Sequence, residues 1–572
     1  MVAECACRAV EGVLYSHAME RKSFRPADYQ PELPVEQIIL FEPPSSGGVE
    51  FDVLFVGAGP ASLAGAIKLA QLVKTENEKT GGSLGNITIG IVEKSAEVGH
   101  HILSGAVINP LPFRELFPEL PMHEIPFAGP VQKDKVLFLT EKSALRIPAP
   151  PTMKNCGNYV ASLCQVVRWL AAQAQSLGVE IFTGFPVRAL LVKDSTVIGV
   201  RTADSGRNRD GSELPNFQPG TDVAAKVVVL GEGTRGFLTQ AYLKWQNISS
   251  PNPQIYALGV KEVWQLRRPL DAVVHTMGWP LDAKTFGGSF FYPLQDNQAA
   301  LGVVVGLDYP DATTNIHQLL QEMKRHPFFR PYLDGGELLE WGAKTIPEGG
   351  YWSLPSRLSG TGLLLAGDAA GFVDVPSLKG VHYAMTSGLL AAKTIFEALK
   401  KKDFSAETLS DYDRAVKDSI IVKDLYRRRN MRLAFKSGLW LGGIKAGLSY
   451  ITHGFLFGGH IEVEPDSYAV RHLGQPKPFT PDGKLTFRKL DAVFKSKNAT
   501  RDNIPSHLLT AGGVDFAVGE FYAQLCPAGV YEVIEGKLNI NPPNCIDCKA
   551  TDVLAPRWTP REGGSGPKYT RM

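Results

Sequence analysis

The sequence predicts an α/β protein built on a discontinuous Rossmann-type dinucleotide domain with an α+β domain inserted into it, and three observations carry that prediction. The first is local order: residues 51–56 are an apolar run suited to a buried strand, a glycine turn follows, 61–72 has helical composition, and 87–92 supplies a second strand. That is the βαβ unit that opens a doubly wound sheet. The second is that two later apolar runs read as returns to the same sheet, 225–230 closed by Gly231-Glu232-Gly233-Thr234 and 362–366 closed by Gly367-Asp368. The third is that about 250–345 carries alternating β-type runs such as 300–307, the pattern of an inserted sheet.

Taken in chain order, residues 24–48 are proline-rich and end in Pro43-Pro44-Ser45-Ser46-Gly47-Gly48, so 1–48 reads as an N-terminal arm. The dinucleotide domain takes 49–250 and resumes over 346–435, where 381–435 is helical, and the insert takes 251–345. A glycine-rich apolar stretch, 436–462, then precedes a polar tail, 463–572, that ends in a cysteine group.

Composition narrows the class. A chain of 572 residues holds several cores, and 44% hydrophobic with 21% charged residues is an ordinary globular balance, which argues against disorder. With 60 basic and 58 acidic residues there is no charge excess that would call for nucleic acid. Seven cysteines are too few for a disulfide scaffold, and Cys526, Cys545 and Cys548 crowd together, which points to a reducing compartment and a metal site. Residues 1–25 mix Glu4, Glu11 and Glu20 with Arg8, Arg21, Lys22 and Arg25, so no secretory core is expected and the acids weaken a transit-peptide reading.

The candidate nucleotide site begins at Val56 and runs through Gly57, Ala58, Gly59, Pro60, Ala61 and Ser62. The first glycine permits the tight turn, the second lets a diphosphate approach the helix N-terminus, and Ser62 stands where a third glycine is usual but is still small enough for close packing. Glu93 ends the second strand, where a carboxylate can accept from ribose hydroxyls; the polar stretch 75–86 explains its distance from the glycines. Far downstream, Leu364-Leu365-Ala366-Gly367-Asp368-Ala369-Ala370-Gly371 places a carboxylate after an apolar strand. It resembles the second FAD motif of glutathione-reductase-like flavoproteins, which selects FAD over NAD; the plainer reading of Asp368 is a helix N-cap.

Residues 437–459 contain Trp440, Leu441, Ile444, Leu448, Tyr450, Ile451, Phe455, Leu456 and Phe457. Their length would permit a membrane span, but Lys445, His453 and seven glycines argue for a segment lying at the membrane surface, with a buried core helix as the alternative. A second stretch, 111–120, carries Leu111, Phe113, Leu116 and Phe117 and says little alone.

Cys526-Pro527 lies upstream of Cys545-Ile546-Asp547-Cys548, a spacing suited to an iron-sulfur cluster or a tetrahedral metal. A C-x-x-C-x-x-C run would put a fourth cysteine at 551, and this chain has Thr551, a poor iron ligand. A three-iron cluster, a four-iron cluster completed by Asp552 or water, a zinc site and no stable cluster all stay open at this level.

The whole pattern resembles the electron-transfer flavoprotein:ubiquinone oxidoreductase family over 20–572. The resemblance rests on Val98-Gly99-His100-His101-Ile102-Leu103-Ser104-Gly105-Ala106, His275-Thr276-Met277-Gly278-Trp279-Pro280-Leu281 and Phe286-Gly287-Gly288-Ser289-Phe290. It rests also on 302–308, Asp374-Val375-Pro376-Ser377-Leu378-Lys379-Gly380, 478–487, Cys526-Pro527-Ala528-Gly529-Val530-Tyr531-Glu532 and Glu562-Gly563-Gly564-Ser565-Gly566-Pro567. It implies a glutathione-reductase-like FAD domain to which Gly380 contributes, an inserted α+β quinone-binding domain, a membrane-surface segment at 436–462 and a ferredoxin-like C-terminal domain. That last domain carries a 4Fe-4S cluster on four cysteines, three of them matched here.

By the same resemblance, Gly287 and Gly288 meet the quinone headgroup through their backbone, and segments near 99–120 and 428–455 dip into one membrane leaflet. The expected partners are electron-transfer flavoprotein, ubiquinone or another quinone, and the membrane. The expected place is the cytoplasmic face of a bacterial inner membrane, or the mitochondrial inner membrane in a eukaryote. Rival readings on the same scaffold are a nicotinamide-driven FAD monooxygenase or prenyl reductase and a cluster-less degenerate relative.

Overall fold

The computed structural model describes residues 23–45, 47–105 and 107–572, and the expectations for the extreme N-terminus lie outside them. The predicted βαβ unit is formed by Val49–Val56, the helix Pro60–Thr80 (α1) and Ile89–Glu93. Gly59 is the N-cap of α1 and Pro60 opens its first turn, where the ring's fixed φ suits the helix and its missing N–H costs nothing. The stretch 75–86 is not all insert: α1 runs to Thr80 and ends on left-handed Gly81. Apolar periodicity stops at Val73 because the last turns leave the protein surface, while lysine and glutamate keep helix propensity high.

The nucleotide sheet has nine strands. Glu180–Thr183, Ile89–Glu93, Val49–Val56 and Asp222–Leu230 lie side by side in parallel. The end of Asp222–Leu230 pairs in parallel with Leu363–Leu365, so both predicted returns enter one sheet and the domain is discontinuous. The start of the same strand instead borders Thr196–Thr202, which pairs antiparallel with Val187–Lys193. Ile39–Leu40 then adds a parallel edge strand with Ile38 and Ile39 buried. Part of the stretch expected as an arm is therefore built into the sheet, a strand too short to show a period in sequence.

A second long helix, Val381–Lys401 (α2), crosses α1 at very close range. A Cβ at Gly388 would lie 2.0 Å from the Ala61 carbonyl oxygen, and one at Gly65 would lie 3.0 Å from that of Gly388. This contact draws α2 down onto the glycine turn, and the Ser387 hydroxyl accepts from the Gly367 N–H at 2.9 Å, so α2 also positions the second motif.

The inserted sheet has seven strands, in the order Glu337–Pro347, Tyr256–Gln265, Gln298–Gly306, Gly287–Pro293, Val273–Gly278, Asp134–Leu139 and Ala144–Ile147. Its last two strands come from the chain ahead of the expected insert, joined by parallel pairing of Asp134–Leu139 to Val273–Gly278. The strand Tyr256–Gln265 is buried almost throughout, yet it carries Glu262, whose carboxylate accepts from Lys324 Nζ at 2.9 and 3.0 Å, Trp264 Nε1 at 2.6 Å and Gln321 Nε2 at 3.0 Å. Glu262 and Lys324 are both fully enclosed. Lys324→Met is expected to lower unfolding stability by about 3–5 kcal/mol, because it leaves a buried carboxylate without its cation; a denaturation curve within about 1 kcal/mol of the unmutated protein's would contradict this.

Past the helical region, Leu439–Ile451 forms a third helix (α3) that presents its apolar residues to solvent: Trp440 is 67% exposed and Ile451 73%, and Phe455 just beyond it is 86% exposed. Among the described residues no helix is long and apolar enough to cross a membrane. The stretch 111–120 behaves otherwise, since Leu111–Leu116 is a short helix that buries Phe113 and Leu116 in the core. Packing accounts for Phe113 and Leu116, while Leu111 is exposed.

Candidate functional site

One cavity of about 1160 Å³ runs from the glycine turn to α3. Its walls bring together Gly57, Gly59, Pro60, Ala61, Glu93, Gly367, Asp368, Gly380, Gly287 and Gly288, residues spread over more than half the chain. Val56, Ala58 and Ser62 do not line it. They lie behind the wall, where Ser62 is fully buried and its hydroxyl stands 2.2 Å from where a Cβ on Gly231 would lie, so this serine locks α1 to the neighbouring strand end.

The nucleotide end fits an FAD. The N-terminus of α1 carries no side-chain cap, and a Cβ at Gly59 would meet nothing within 4 Å, so the first-turn amides face open space. An anion is the natural occupant of such a site. Glu93 accepts from Ala58 N–H and Ser95 N–H, each at 2.9 Å, which fixes its carboxylate beside the turn. Asp368 stands in the cavity wall, where enclosure pushes its carboxyl up to about 6 against the opposing pull of Lys344. Burial pushes Lys261, Lys344 and Lys379 down to about 8, and all three line the cavity, giving it a cationic interior that no local motif announces. Glu232, in the turn expected to close the first return, serves its own helix by accepting from Leu238 N–H and Thr239 N–H.

The paired glycines sit at the start of Gly287–Pro293, and a Cβ would lie 2.2 Å from the Val304 carbonyl oxygen at position 287 and 2.6 Å from that of Thr276 at position 288. Sheet packing alone therefore demands glycine at both, and it also leaves their backbone bare toward the cavity. Beside them His275 Nε2 meets the Tyr292 hydroxyl at 2.6 Å, and burial holds the imidazole down at about 3. A base with a depressed native pKa loses stability as pH falls from about 6.5 toward that value, because only the unfolded chain takes up the proton. His275→Gln should remove about 2 kcal/mol of the loss seen between pH 6.5 and pH 5; equal losses in both proteins, read by urea unfolding, would contradict it.

The three cysteines gather in a separate small cavity that Thr551, Tyr531 and Trp558 also line. All three are buried. Burial pushes the Cys545 thiol up to about 12 and that of Cys548 higher still, so both thiolates need a compensating cation. Their loops are tied by the backbone: Lys489 Nζ donates to the Cys526 carbonyl at 2.7 Å, Thr345 N–H to that of Cys548 at 2.9 Å, and Asn498 Nδ2 to that of Cys545 at 3.2 Å. Asp547 and Lys549 both adopt left-handed backbone, φ 54° and 67°, which wraps the loop tightly around the two sulfurs. The donor set fits an iron-sulfur cluster held by three thiolates, and it does not complete a four-thiolate cube.

Residue 547 also joins the two cavities. Its carboxylate accepts from Lys94 Nζ at 2.6 Å and lies 3.1 Å from Arg561, while its carbonyl accepts from Lys344 Nζ at 3.0 Å. Lys94 and Lys344 line the large cavity, so the cysteine loop is anchored directly to its wall.

Two family descriptions match the chain: "ETF-QO, ubiquinone-binding" over residues 256–346, and "Electron transfer flavoprotein-ubiquinone oxidoreductase, 4Fe-4S" over 483–570. The mitochondrial electron transfer flavoprotein-ubiquinone oxidoreductase of Arabidopsis thaliana is 40% identical, covering 92% of this chain and 85% of that one. The probable bacterial counterpart of Acinetobacter baylyi is 38% identical over 92% and 99%, and the human mitochondrial one 37% over 91% and 89%. Among solved structures, a geranylgeranyl bacteriochlorophyll reductase-like protein of Thermoplasma acidophilum superposes with a TM-score of 0.54 at 19% identity, over 72% of this chain and 92% of that one. That likeness concerns the fold alone.

Proposed function

This chain belongs to the electron transfer flavoprotein-ubiquinone oxidoreductase family, and from that premise we propose that it takes electrons from reduced electron-transfer flavoprotein and passes them through FAD to a quinone held at a membrane surface. The observation that carries this reading is the single cavity: it begins at a dinucleotide-binding turn, passes two bare glycines and ends under an exposed apolar helix. At about 1160 Å³ it exceeds the roughly 300–1,000 Å³ typical of a one-ligand pocket, leaving room for a flavin and a headgroup in sequence.

Bound FAD supplies a centre that exchanges electrons singly or in pairs. The residues of the chain do the rest. The amides opening α1 hold the diphosphate, Glu93 and Asp368 hold hydroxyls of ribose and ribityl, and the cavity lysines offset negative charge. Gly287 and Gly288 offer backbone groups at close range to a quinone oxygen, and the walls around them keep bulk water away. Leu439, Trp440, Ile444 and Tyr450 line the same cavity from α3, so an apolar quinone tail can pass from the membrane to the headgroup site without crossing water.

On this reading the FAD domain is 49–250 with 346–435 and Gly380, and the quinone domain is 251–345 with two strands borrowed from 134–147. Residues 436–462 form the membrane-surface segment, and 463–572 the ferredoxin-like unit on Cys526, Cys545 and Cys548. The protein sits peripherally on the inner membrane, on the cytoplasmic face in a bacterium and in the mitochondrion of a eukaryote.

Reduced electron-transfer flavoprotein mixed with the FAD-loaded protein and a short-chain ubiquinone should give quinol at a rate set by both partners. Rapid flavin reduction by NADPH alone, without quinol formation, would overturn the proposal in favour of a monooxygenase-type or prenyl-reductase activity. For the membrane contact, Trp440→Glu with Ile444→Glu should weaken partition onto phospholipid vesicles by at least about a hundredfold, at roughly 1.5–3 kcal/mol for each apolar side chain removed from the lipid boundary. Unchanged co-sedimentation with vesicles would show that α3 is not the contact.

A further inference from the structure

The matched 4Fe-4S description covers 483–570, and that span contains Cys526, Cys545 and Cys548 and no other cysteine. Four irons at the corners of a cube each need a terminal ligand, ordinarily a thiolate. The remaining described cysteines are elsewhere: Cys156 is exposed, and Cys164 is packed in a different apolar cluster with its thiol donating to the Ile102 carbonyl.

The two carboxylates near the cysteine cavity are already committed, whereas the buried His507 imidazole has no hydrogen-bond partner on either ring nitrogen. Asp552 accepts from Arg235 Nε at 2.7 Å and from Trp558 N–H at 2.8 Å. Asp547 is shared among Lys94, Arg561 and Trp558 Nε1. His507 lies within 4.8 Å of Cys545 and Asp547 but does not line the cavity that the three sulfurs share with Thr551. Thr551, the residue at the fourth C-x-x-C-x-x-C position, lines the same cavity, buried in the short helix Ala550–Leu554, and a neutral hydroxyl competes poorly with thiolate for iron.

We propose that this chain holds a three-iron cluster on Cys526, Cys545 and Cys548, with the corner at Thr551 left without a protein ligand. The inference rests on the cluster that the family brings to this unit, and not on the identity of the electron donor or of the quinone. A cluster lacking one iron matches the donors present: three thiolates for three irons, in a cavity whose remaining lining includes the Thr551 hydroxyl and no carboxylate. The C-x-x-C-x-x-C spacing and the shared cavity make Thr551→Cys a change that would supply the fourth thiolate.

The test uses the full chain with FAD bound, purified without oxygen, and reads iron and sulfide per flavin together with low-temperature electron paramagnetic resonance. Expected are iron and sulfide near a three-to-four ratio and a signal in the oxidised protein that disappears on addition of dithionite. Ferrous iron added with dithionite and then removed by desalting should leave the count unchanged. Thr551→Ala, and Cys5→Ala with Cys7→Ala at positions outside the described residues, should behave like the parent. Thr551→Cys should move the ratio to four-to-four and the signal to the reduced state.

A parent protein with four irons and a signal only on reduction would overturn the proposal, as would FAD-loaded protein without iron. Retention of a fourth iron after desalting, or conversion of a four-iron parent by Thr551→Ala, would overturn it as well. None of these readouts uses quinone or electron-transfer flavoprotein, so failure here leaves the proposed activity to stand or fall on its own assay.

Discussion

Gly57→Val is expected to leave the protein nearly free of flavin, with FAD affinity falling more than a hundredfold. Gly57 has φ +93°, and a Cβ there would stand 2.7 Å from the Gly231 carbonyl oxygen. Neither side can give way: Gly57 N–H donates to the Val92 carbonyl at 2.8 Å and Gly231 N–H to that of Val56 at 3.0 Å, so both chains are pinned by the central sheet. A branched side chain in left-handed backbone costs about 1–3 kcal/mol, and overpacking against a fixed carbonyl costs a similar amount again. Both costs fall on the turn proposed to hold the diphosphate.

Gly59→Ala is the informative partner variant, since its φ of −87° is ordinary and no protein atom would meet the new methyl group. It should match the parent in thermal unfolding without ligand and still bind FAD more weakly, because only the approaching diphosphate meets the methyl. Flavin absorbance per polypeptide after gel filtration measures both variants, and full flavin occupancy in Gly57→Val would refute the expectation.

Those glycines were legible in sequence because a turn between strand and helix writes its requirement into adjacent residues. The discontinuous sheet was legible for a similar reason: 225–230 and 362–366 are apolar runs closed by glycine; the first lands beside the opening strand and the second beside that return. What the sequence concealed arises from tertiary contact. Ile39–Leu40 is two residues long, and Asp134–Leu139 joins the inserted sheet by pairing with a strand more than a hundred residues away. Gly287 and Gly288 line the cavity, although sheet packing by itself explains why they are glycines. Lys94, Lys344 and Arg561 carried none, because a lone basic residue in a strand or loop looks like any solvated one until the fold brings it to Asp547, Lys94 and Arg561 at its carboxylate and Lys344 at its carbonyl. The cysteine spacing was readable, but nothing in the sequence marks the aspartate between the last two cysteines as the partner of buried cations.

That aspartate is expected to be worth more to stability than its position suggests. Asp547 is enclosed, with Lys94 Nζ at 2.6 Å, Arg561 at 3.1 Å, Trp558 Nε1 at 3.0 Å and His101 at 3.5 Å, and the cations around it hold its carboxyl well below the ordinary carboxylate range. Asp547→Asn keeps the shape and removes the charge. Lys94 retains some access to water, but Arg561 does not, so the substitution strands a buried guanidinium and should cost about 3–5 kcal/mol in unfolding free energy. Replacing the cation as well, as in Asp547→Asn with Arg561→Met, should recover part of that loss, since a buried pair is costlier to break than to remove whole. The depressed carboxyl fixes the sign of the pH dependence. Its contribution is present above the unfolded value near 4 and is lost as pH falls below it, so the single variant should match the parent more closely at pH 3 than at pH 7. Urea unfolding at the two pH values measures this, and a single variant within about 1 kcal/mol of the parent at pH 7 would mean that the carboxylate does not hold the cysteine loop against the cavity wall.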